Sequence, residues 1–306
     1  MNLDRSKVAI EPKSHDAYVK AVEAVGCSVA KLDETVGAII WTDYFDPAGL
    51  SECISNNPQL EFVQLPFAGV DAFQDVIKLP LRFACAKGSY REPVAEHALM
   101  LAMALGRVLP ERVTAKTWGR KHADSLYDAE VLIVGAGGIT EELVKQLAVF
   151  RCNITVVRNR DLPLDGVDKV VLLDELDDFL PKADWVFLAC SLTDQTKQLM
   201  NLKRFEKMKP TSYLVNVARG AVVDTMDLVA ALNQGLIAGA GVDVTDPEPL
   251  PDGHPLWEAK NIIITPHTAD TNAQVIRLFS QRIAENLAAY QGKGDWVGLV
   301  DPALGY

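Results

Sequence analysis

The residues Val131 to Thr140, VLIVGAGGIT, pass from an apolar strand pattern through closely spaced glycines into a helical pattern. Gly135 and Gly137 lack side chains, so the backbone can turn tightly and approach a pyrophosphate at the positive end of a helix from about Gly138 to Phe150. In G-x-G-x-x-G spacing the third glycine position is held by Thr140, which is expected to hold helix and strand slightly farther apart and to weaken cofactor binding. The competing reading is an ordinary strand–turn–helix. At the end of the following strand pattern, the position that usually holds an acid for a ribose 2′-hydroxyl falls on Arg158, with Asn159 and Arg160 beside it. Cationic donors there suit a 2′-phosphate; a solvated arginine at a strand end is the alternative. Three more ionic residues each follow an apolar run: Arg219 in NVARGAVVD, Glu248 in GVDVTDPEPL and His267 in TPHTA. They can converge above one sheet edge, although each taken singly is more often structural.

Those residues need strands to carry them. The first part of the chain alternates β-branched runs with helical patterns: VAI at Val8, a helix from about Ser14 to Val25 closed by Gly26, SVAKL, GAIIWT, a helix capped by Asp46 and Pro47, LEFVQL at Leu60 to Leu65, and LRFACA at Leu81 to Ala86. This punctuation predicts a small parallel sheet with helices on both faces. In FAGVDAF, Gly69 can offer bare backbone N–H groups at the carboxyl end of that sheet, where open α/β sheets bind ligands; a plain turn glycine reads equally well. From Pro93 to Leu109 a helical pattern apolar on nearly all sides requires burial between layers or against another subunit, and can form the crossing between domains. Pro110 to Asp128 reads as a polar segment carrying Trp118. After the glycine turn come ITVV, KVV, WVFLAC, SYLVNV, AGVDV and NIIIT, the strands of a second, larger doubly wound sheet. Ala273 to Tyr290 is a final helix returning to the first domain. The expected fold is α/β with two doubly wound parallel-sheet domains and a cleft between them. One is flavodoxin-like, residues 1–92 completed by a C-terminal helix 272–306; the other is a Rossmann domain, residues 93–271.

Composition narrows the function. With 306 residues and 49% hydrophobic content the chain can build two cores. A formal charge of −11 argues against nucleic acid or an anionic membrane surface as the main partner. The five cysteines, Cys27, Cys53, Cys85, Cys152 and Cys190, include no C-x-x-C pair, so neither a metal cluster nor a disulfide framework is expected, and a reducing compartment fits. The start, MNLDRSKVAI, has no apolar signal core, and the most apolar run, Ala98 to Leu109, is too short to span a bilayer. A cytoplasmic protein is expected.

Over nearly its whole length the chain resembles the D-isomer-specific 2-hydroxyacid dehydrogenases. The similar pieces are FAGVD at Phe67 to Asp71, EPVAEHAL at Glu92 to Leu99, the glycine turn, SLTDQT at Ser191 to Thr196, NVARG, DVTDPEPL, HPLW at His254 to Trp257, and TPH. The resemblance implies that Arg219 binds a substrate carboxylate, that His267 is the acid and base, and that Glu248 is its partner. The chemistry of the residue types agrees: a guanidinium clamps a carboxylate bidentately and polarises a neighbouring carbonyl, and a carboxylate beside an imidazole favours the form that can give a proton. In formate dehydrogenases of the same superfamily a glutamine matches the Glu248 position, so glutamate favours 2-hydroxy-acid chemistry. By the same resemblance Asp243 holds the nicotinamide carboxamide, a turn-forming aspartate being the structural alternative, and the backbone of Ala68, Gly69 and Val70 meets the substrate carboxylate from the other domain. Gly135, Gly137, Gly138, Ile139, Arg158, Asn159, Arg160, Thr193, Val217 and Ala218 complete the expected cofactor set. Phe67, Tyr90 and Trp257 are wall candidates that also read as core.

The resulting expectation is an NAD(P)-dependent D-2-hydroxyacid dehydrogenase that reduces a small 2-keto acid of the glyoxylate or hydroxypyruvate type. NADPH is preferred over NADH, no metal is needed, and the protein is a homodimer. Arg158 agrees with the NADPH-using glyoxylate and hydroxypyruvate reductases of this family. Two competitors stand beside this reading: a non-catalytic NAD(P)-responsive protein like the family's corepressors, and a phosphoglycerate dehydrogenase, disfavoured because no regulatory domain follows Tyr306.

Overall fold

The computed structural model describes residues 3–302. Contacts divide the chain into two units, Met1–Tyr90 with Asn272–Tyr306, and Arg91–Thr271.

The first unit is built on five parallel strands, β1 (Lys7–Glu11), β2 (Ser28–Val29), β3 (Ala38–Trp41), β4 (Phe62–Gln64) and β5 (Arg82–Ala84), in the order β2-β1-β3-β4-β5. That is the flavodoxin-like order. Burial follows position in the sheet: central β3, AIIW, is buried throughout, whereas edge strand β2 is exposed. α1 (Asp16–Ala24) lies against one face. α2 (Pro47–Asn56) begins where the Asp46 carboxylate accepts the Gly49 N–H at 2.7 Å, and its Leu50 and Ile54 join the core of the other face with Ile39, Val63 and Phe73.

The second unit opens with α3 (Arg91–Gly106) and α4 (Leu109–Thr114) and continues as β6 (Glu130–Val134), α5 (Gly138–Leu147), β7 (Asn153–Arg158), β8 (Lys169–Leu172), α6 (Leu176–Phe179), β9 (Trp185–Leu188), α7 (Leu202–Phe205), β10 (Tyr213–Asn216), α8 (Thr225–Gln234), β11 (Gly239–Val242) and β12 (Ile262–Ile264). Its seven strands pair in parallel in the order β12-β11-β10-β9-β6-β7-β8, so the direction of winding reverses between β6 and β9. Every carboxyl strand end therefore lies on one edge. The chain then rejoins the first unit as α9 (Asn272–Tyr290), whose Phe279, Ile283, Leu287 and Tyr290 pack with Val8, Ile10, Ile40 and Phe62 beside α1.

Two expectations need correction. The helical pattern read from Pro93 to Leu109 stops at Gly106. Val108 takes a left-handed φ of 56°, and a second helix, α4, starts with Pro110 in its first turn, inside the stretch read as a polar segment. α5 and the strands β10 and β11 cover most of α3, while its Glu96, Met100 and Met103, and Arg107 just after it, form an exposed stripe. Residues 272–306 are not all helix. After Tyr290, Gly292 and Gly294 take positive φ, and the chain runs back alongside β5, where Cys85 N–H donates to the Gly298 carbonyl at 2.7 Å and Val300 N–H to the Phe83 carbonyl at 3.0 Å. Residues 303–306 of that expected helix lie outside the described residues.

Candidate active site

The glycine turn sits where β6 meets β9. Gly135 has φ 112°, and a Cβ there would run into the Ala189 carbonyl at the end of β9, so both its conformation and its surroundings demand glycine. A Cβ on Gly137 would meet no protein atom, and Gly137 brings no capping side chain to α5. An uncapped helix start of this kind is where backbone N–H groups bind anions such as a pyrophosphate, and its first turn holds Gly138 and Ile139. Thr140 is fully buried, and its hydroxyl donates to the Gly135 carbonyl at 3.0 Å, closing the turn that a third glycine would have let pack closely. Beside it, burial pushes the Cys190 thiol up to about 11, which keeps it protonated at neutral pH.

Arg158 is the last residue of β7, two strands from β9, and its guanidinium donates to the Leu162 carbonyl at 3.1 Å; Asn159 and Arg160 beyond it are exposed. The loop after β9 is fixed by Thr196, whose hydroxyl donates to the Ser191 carbonyl at 2.7 Å and accepts the Thr193 N–H at 2.8 Å. Val217 and Ala218, after β10, are buried. Sequence reasoning missed the residue that shapes their turn. Asn216, 1% exposed, accepts the Ala218 N–H at 3.0 Å and donates to the Arg219 carbonyl at 3.1 Å; a polar residue ending an all-apolar strand was the available signal.

Arg219, Glu248 and His267 leave the carboxyl ends of β10, β11 and β12, three neighbours in the sheet. The structure joins Glu248 and His267 directly: Oε1 lies 2.7 Å from Nδ1. A carboxylate only accepts, so Nδ1 carries the proton of that bond, leaving Nε2 for another partner. Arg219 is half-buried and donates to the Ala218 carbonyl at 2.8 Å. The following Gly220 admits no Cβ because the Thr245 carbonyl of the next loop lies against it, which draws the Arg219 and Glu248 loops together. Asp243, one residue past β11 and 2% exposed, accepts from Thr265, Thr268 and Ala269. Burial works to raise its pKa, but hydrogen bonds from His97, Thr265 and Thr268 prevail and hold it below the usual range.

In the first unit, Ala68, Gly69 and Val70 follow β4; Ala68 is exposed and Val70 buried. Phe67 stacks on Tyr90 at 4.9 Å and packs against Tyr44 at 4.3 Å. Trp257, in the second unit, is partly exposed and donates to the Pro251 carbonyl at 3.0 Å. Among the described residues, no three His, Cys, Asp or Glu side chains gather as a metal site would require.

A parallel sheet wound in both directions, a glycine turn at its reversal and an acid–imidazole pair on the same edge are the parts of a dinucleotide-binding α/β protein. Known proteins make the class narrower. The family described as D-isomer specific 2-hydroxyacid dehydrogenase, NAD binding domain, matches residues 97–269. An uncharacterized protein in the proB 3′ region of Corynebacterium melassecola is 39% identical, covering 81% of this chain and 84% of its own. Human glyoxylate reductase/hydroxypyruvate reductase is 31% identical over 75% of this chain and 74% of its own. A crystal structure of a D-isomer specific 2-hydroxyacid dehydrogenase from Xanthobacter autotrophicus Py2, in complex with NADPH and MES, is 27% identical, with a TM-score of 0.84, and covers 98% of this chain and 99% of that one. The chain belongs to the D-isomer-specific 2-hydroxyacid dehydrogenase family. It is an oxidoreductase of that type and carries the family's NAD-binding domain.

Proposed function

We propose that this protein reduces a small 2-keto acid of the glyoxylate or hydroxypyruvate type to the D-2-hydroxy acid, with NADPH preferred over NADH. The observation that carries the reading is the 2.7 Å contact between Glu248 and His267 at the edge where the other strand-end residues emerge. With Nδ1–H committed to Glu248, His267 uses Nε2 to give a proton to the substrate oxygen, and Glu248 stabilises the imidazolium beforehand. Arg219 grips the carboxylate and polarises the adjoining carbonyl. The bound dinucleotide supplies the hydride. Gly135, Gly137, Gly138 and Ile139 hold its pyrophosphate, Arg158 with Asn159 and Arg160 the 2′-phosphate, and Thr193, Val217, Ala218 and Asp243 the remainder. Ala68, Gly69 and Val70 belong to the substrate-binding set.

The same reading includes a cytoplasmic homodimer. The dimer is supported by the exposed Met100 and Met103 on α3, by Val113 on α4, and by Trp118, which is 99% exposed. The function is tested by following nicotinamide absorbance with a panel of 2-keto acids and each cofactor. Turnover is expected with NADPH, and slower turnover with NADH. Equal rates with both would remove the Arg158 argument.

A further inference from the structure

The motif EPVAEHAL contains a histidine with no role in the reaction just described. His97 lies on α3, with its Nε2 2.9 Å from the Thr265 hydroxyl and 3.3 Å from Asp243 Oδ1. We propose that His97 and Asp243 are positioning residues that clamp the loop bearing His267 and so aim its imidazole.

The need for a clamp is visible in the backbone. His267 has φ 50°, a left-handed conformation that side chains other than glycine rarely adopt. Its N–H donates to the Asp243 carbonyl at 2.7 Å and to the Thr265 carbonyl at 3.0 Å. The next two N–H groups are taken by the Asp243 carboxylate, Thr268 by Oδ1 at 2.9 Å and Ala269 by Oδ2 at 3.1 Å. The Thr265 hydroxyl donates to Oδ1 at 2.6 Å. One aspartate thus engages both backbone and side-chain donors across the whole turn on which His267 sits.

Proton counting fixes the part His97 plays. The Thr265 hydroxyl has one hydrogen, and the carboxylate can only accept, so that hydrogen points at Asp243 and the Thr265 oxygen must accept from His97. His97 Nε2 therefore carries a hydrogen and serves Thr265 and Asp243 together. The side chain of His97 is 13% exposed and that of His267 46%. The first is enclosed in the scaffold; the second reaches outward to Glu248. A line of hydrogen bonds accordingly runs from α3 through Thr265 and Asp243 to the turn that presents His267.

The effect on turnover rests on the proposed reductase reading; the effect on His267 does not, so the test separates them. The full chain without cofactor, labelled in its imidazoles, is studied by NMR, the His267 signal being assigned by its loss in His267→Ala. His97→Leu is expected to shift and broaden that signal, and His97→Gln, which keeps an N–H donor, to restore it. In steady state His97→Leu is expected to lower kcat by roughly 10- to 100-fold, the scale of a misplaced catalytic group, with keto-acid KM almost unchanged. Thr265→Val, which removes the hydroxyl link and leaves only the 3.3 Å contact between His97 and Asp243, should reproduce part of the defect and decides the matter if His97→Leu does not fold. A His267 signal and kcat equal to wild type in the folded variants would overturn the clamp. A displaced His267 signal in a protein whose wild type reduces no keto acid would uphold the clamp and refute the reductase reading.

Discussion

On the proposed reading Arg158 is the single side chain that decides between two dinucleotides. An acid there would repel a 2′-phosphate, whereas a guanidinium can form a charge-assisted hydrogen bond with it worth roughly 1.5 to 3 kcal/mol. Arg158→Ala is expected to weaken NADPH binding about 10-fold or more while changing NADH binding little, as read by fluorescence titration. Equal losses for both cofactors would contradict that role. His267→Ala should abolish keto-acid reduction and leave the NADPH titration largely intact; normal turnover would place the proton donor elsewhere. The residue scale also shows what a sequence conceals. Thr140 reads as a defect in a glycine pattern because the pattern counts missing side chains; the hydroxyl that reaches back to Gly135 becomes apparent only in three dimensions. His97 and Thr265 lie 168 residues apart, so no local spacing announces their contact.

Among the elements, the parallel strands were legible because strands buried on both faces appear as unbroken apolar runs, as in WVFL of β9 and AIIW of β3. Glycine and proline punctuation was less so. The break after α3 depends on the left-handed Val108, a β-branched residue with no propensity for that conformation, so the pattern appeared continuous. Ion pairs between short helices were also hidden. Asp177 of α6 is bound by Arg204 of α7 at 2.8 Å and by Lys207 just after it at 2.7 Å. Hydrogen bonds from Lys207 and then Arg204 hold its carboxyl below the usual 3.8. A depressed folded-state pKa adds stability that is fully present above the unfolded value and is lost as pH falls through the folded one. The pair is partly exposed, so its contribution is discounted to about 1 kcal/mol. Asp177→Asn should therefore lower stability in urea unfolding at pH 7 and lower it by less at pH 3, below the unfolded value of 3.8. An equal effect at both pH values would mean that the charge is not responsible.

For the molecule as a whole, alternation of strand and helix patterns conveyed two α/β sheets, and the order of motifs along the chain conveyed the family. Side-chain covering was harder to read: the exposed stripe on α3 follows from which faces α5 and the sheet happen to occupy. If that stripe and Trp118 meet a second copy, light scattering at micromolar concentration should give twice the mass of one chain; a single-chain mass would remove the dimer. Among the described residues no helix is long and apolar enough to cross a membrane. The central claim is that Arg219, Glu248 and His267 act together on a keto acid beside a nicotinamide. The most direct measurement is NADPH consumption with glyoxylate and hydroxypyruvate, combined with chiral analysis of the product of a keto acid whose reduction creates a stereocentre. The account predicts NADPH loss matched one to one by a D-2-hydroxy acid. NADPH bound but never consumed, or an L product, would contradict it.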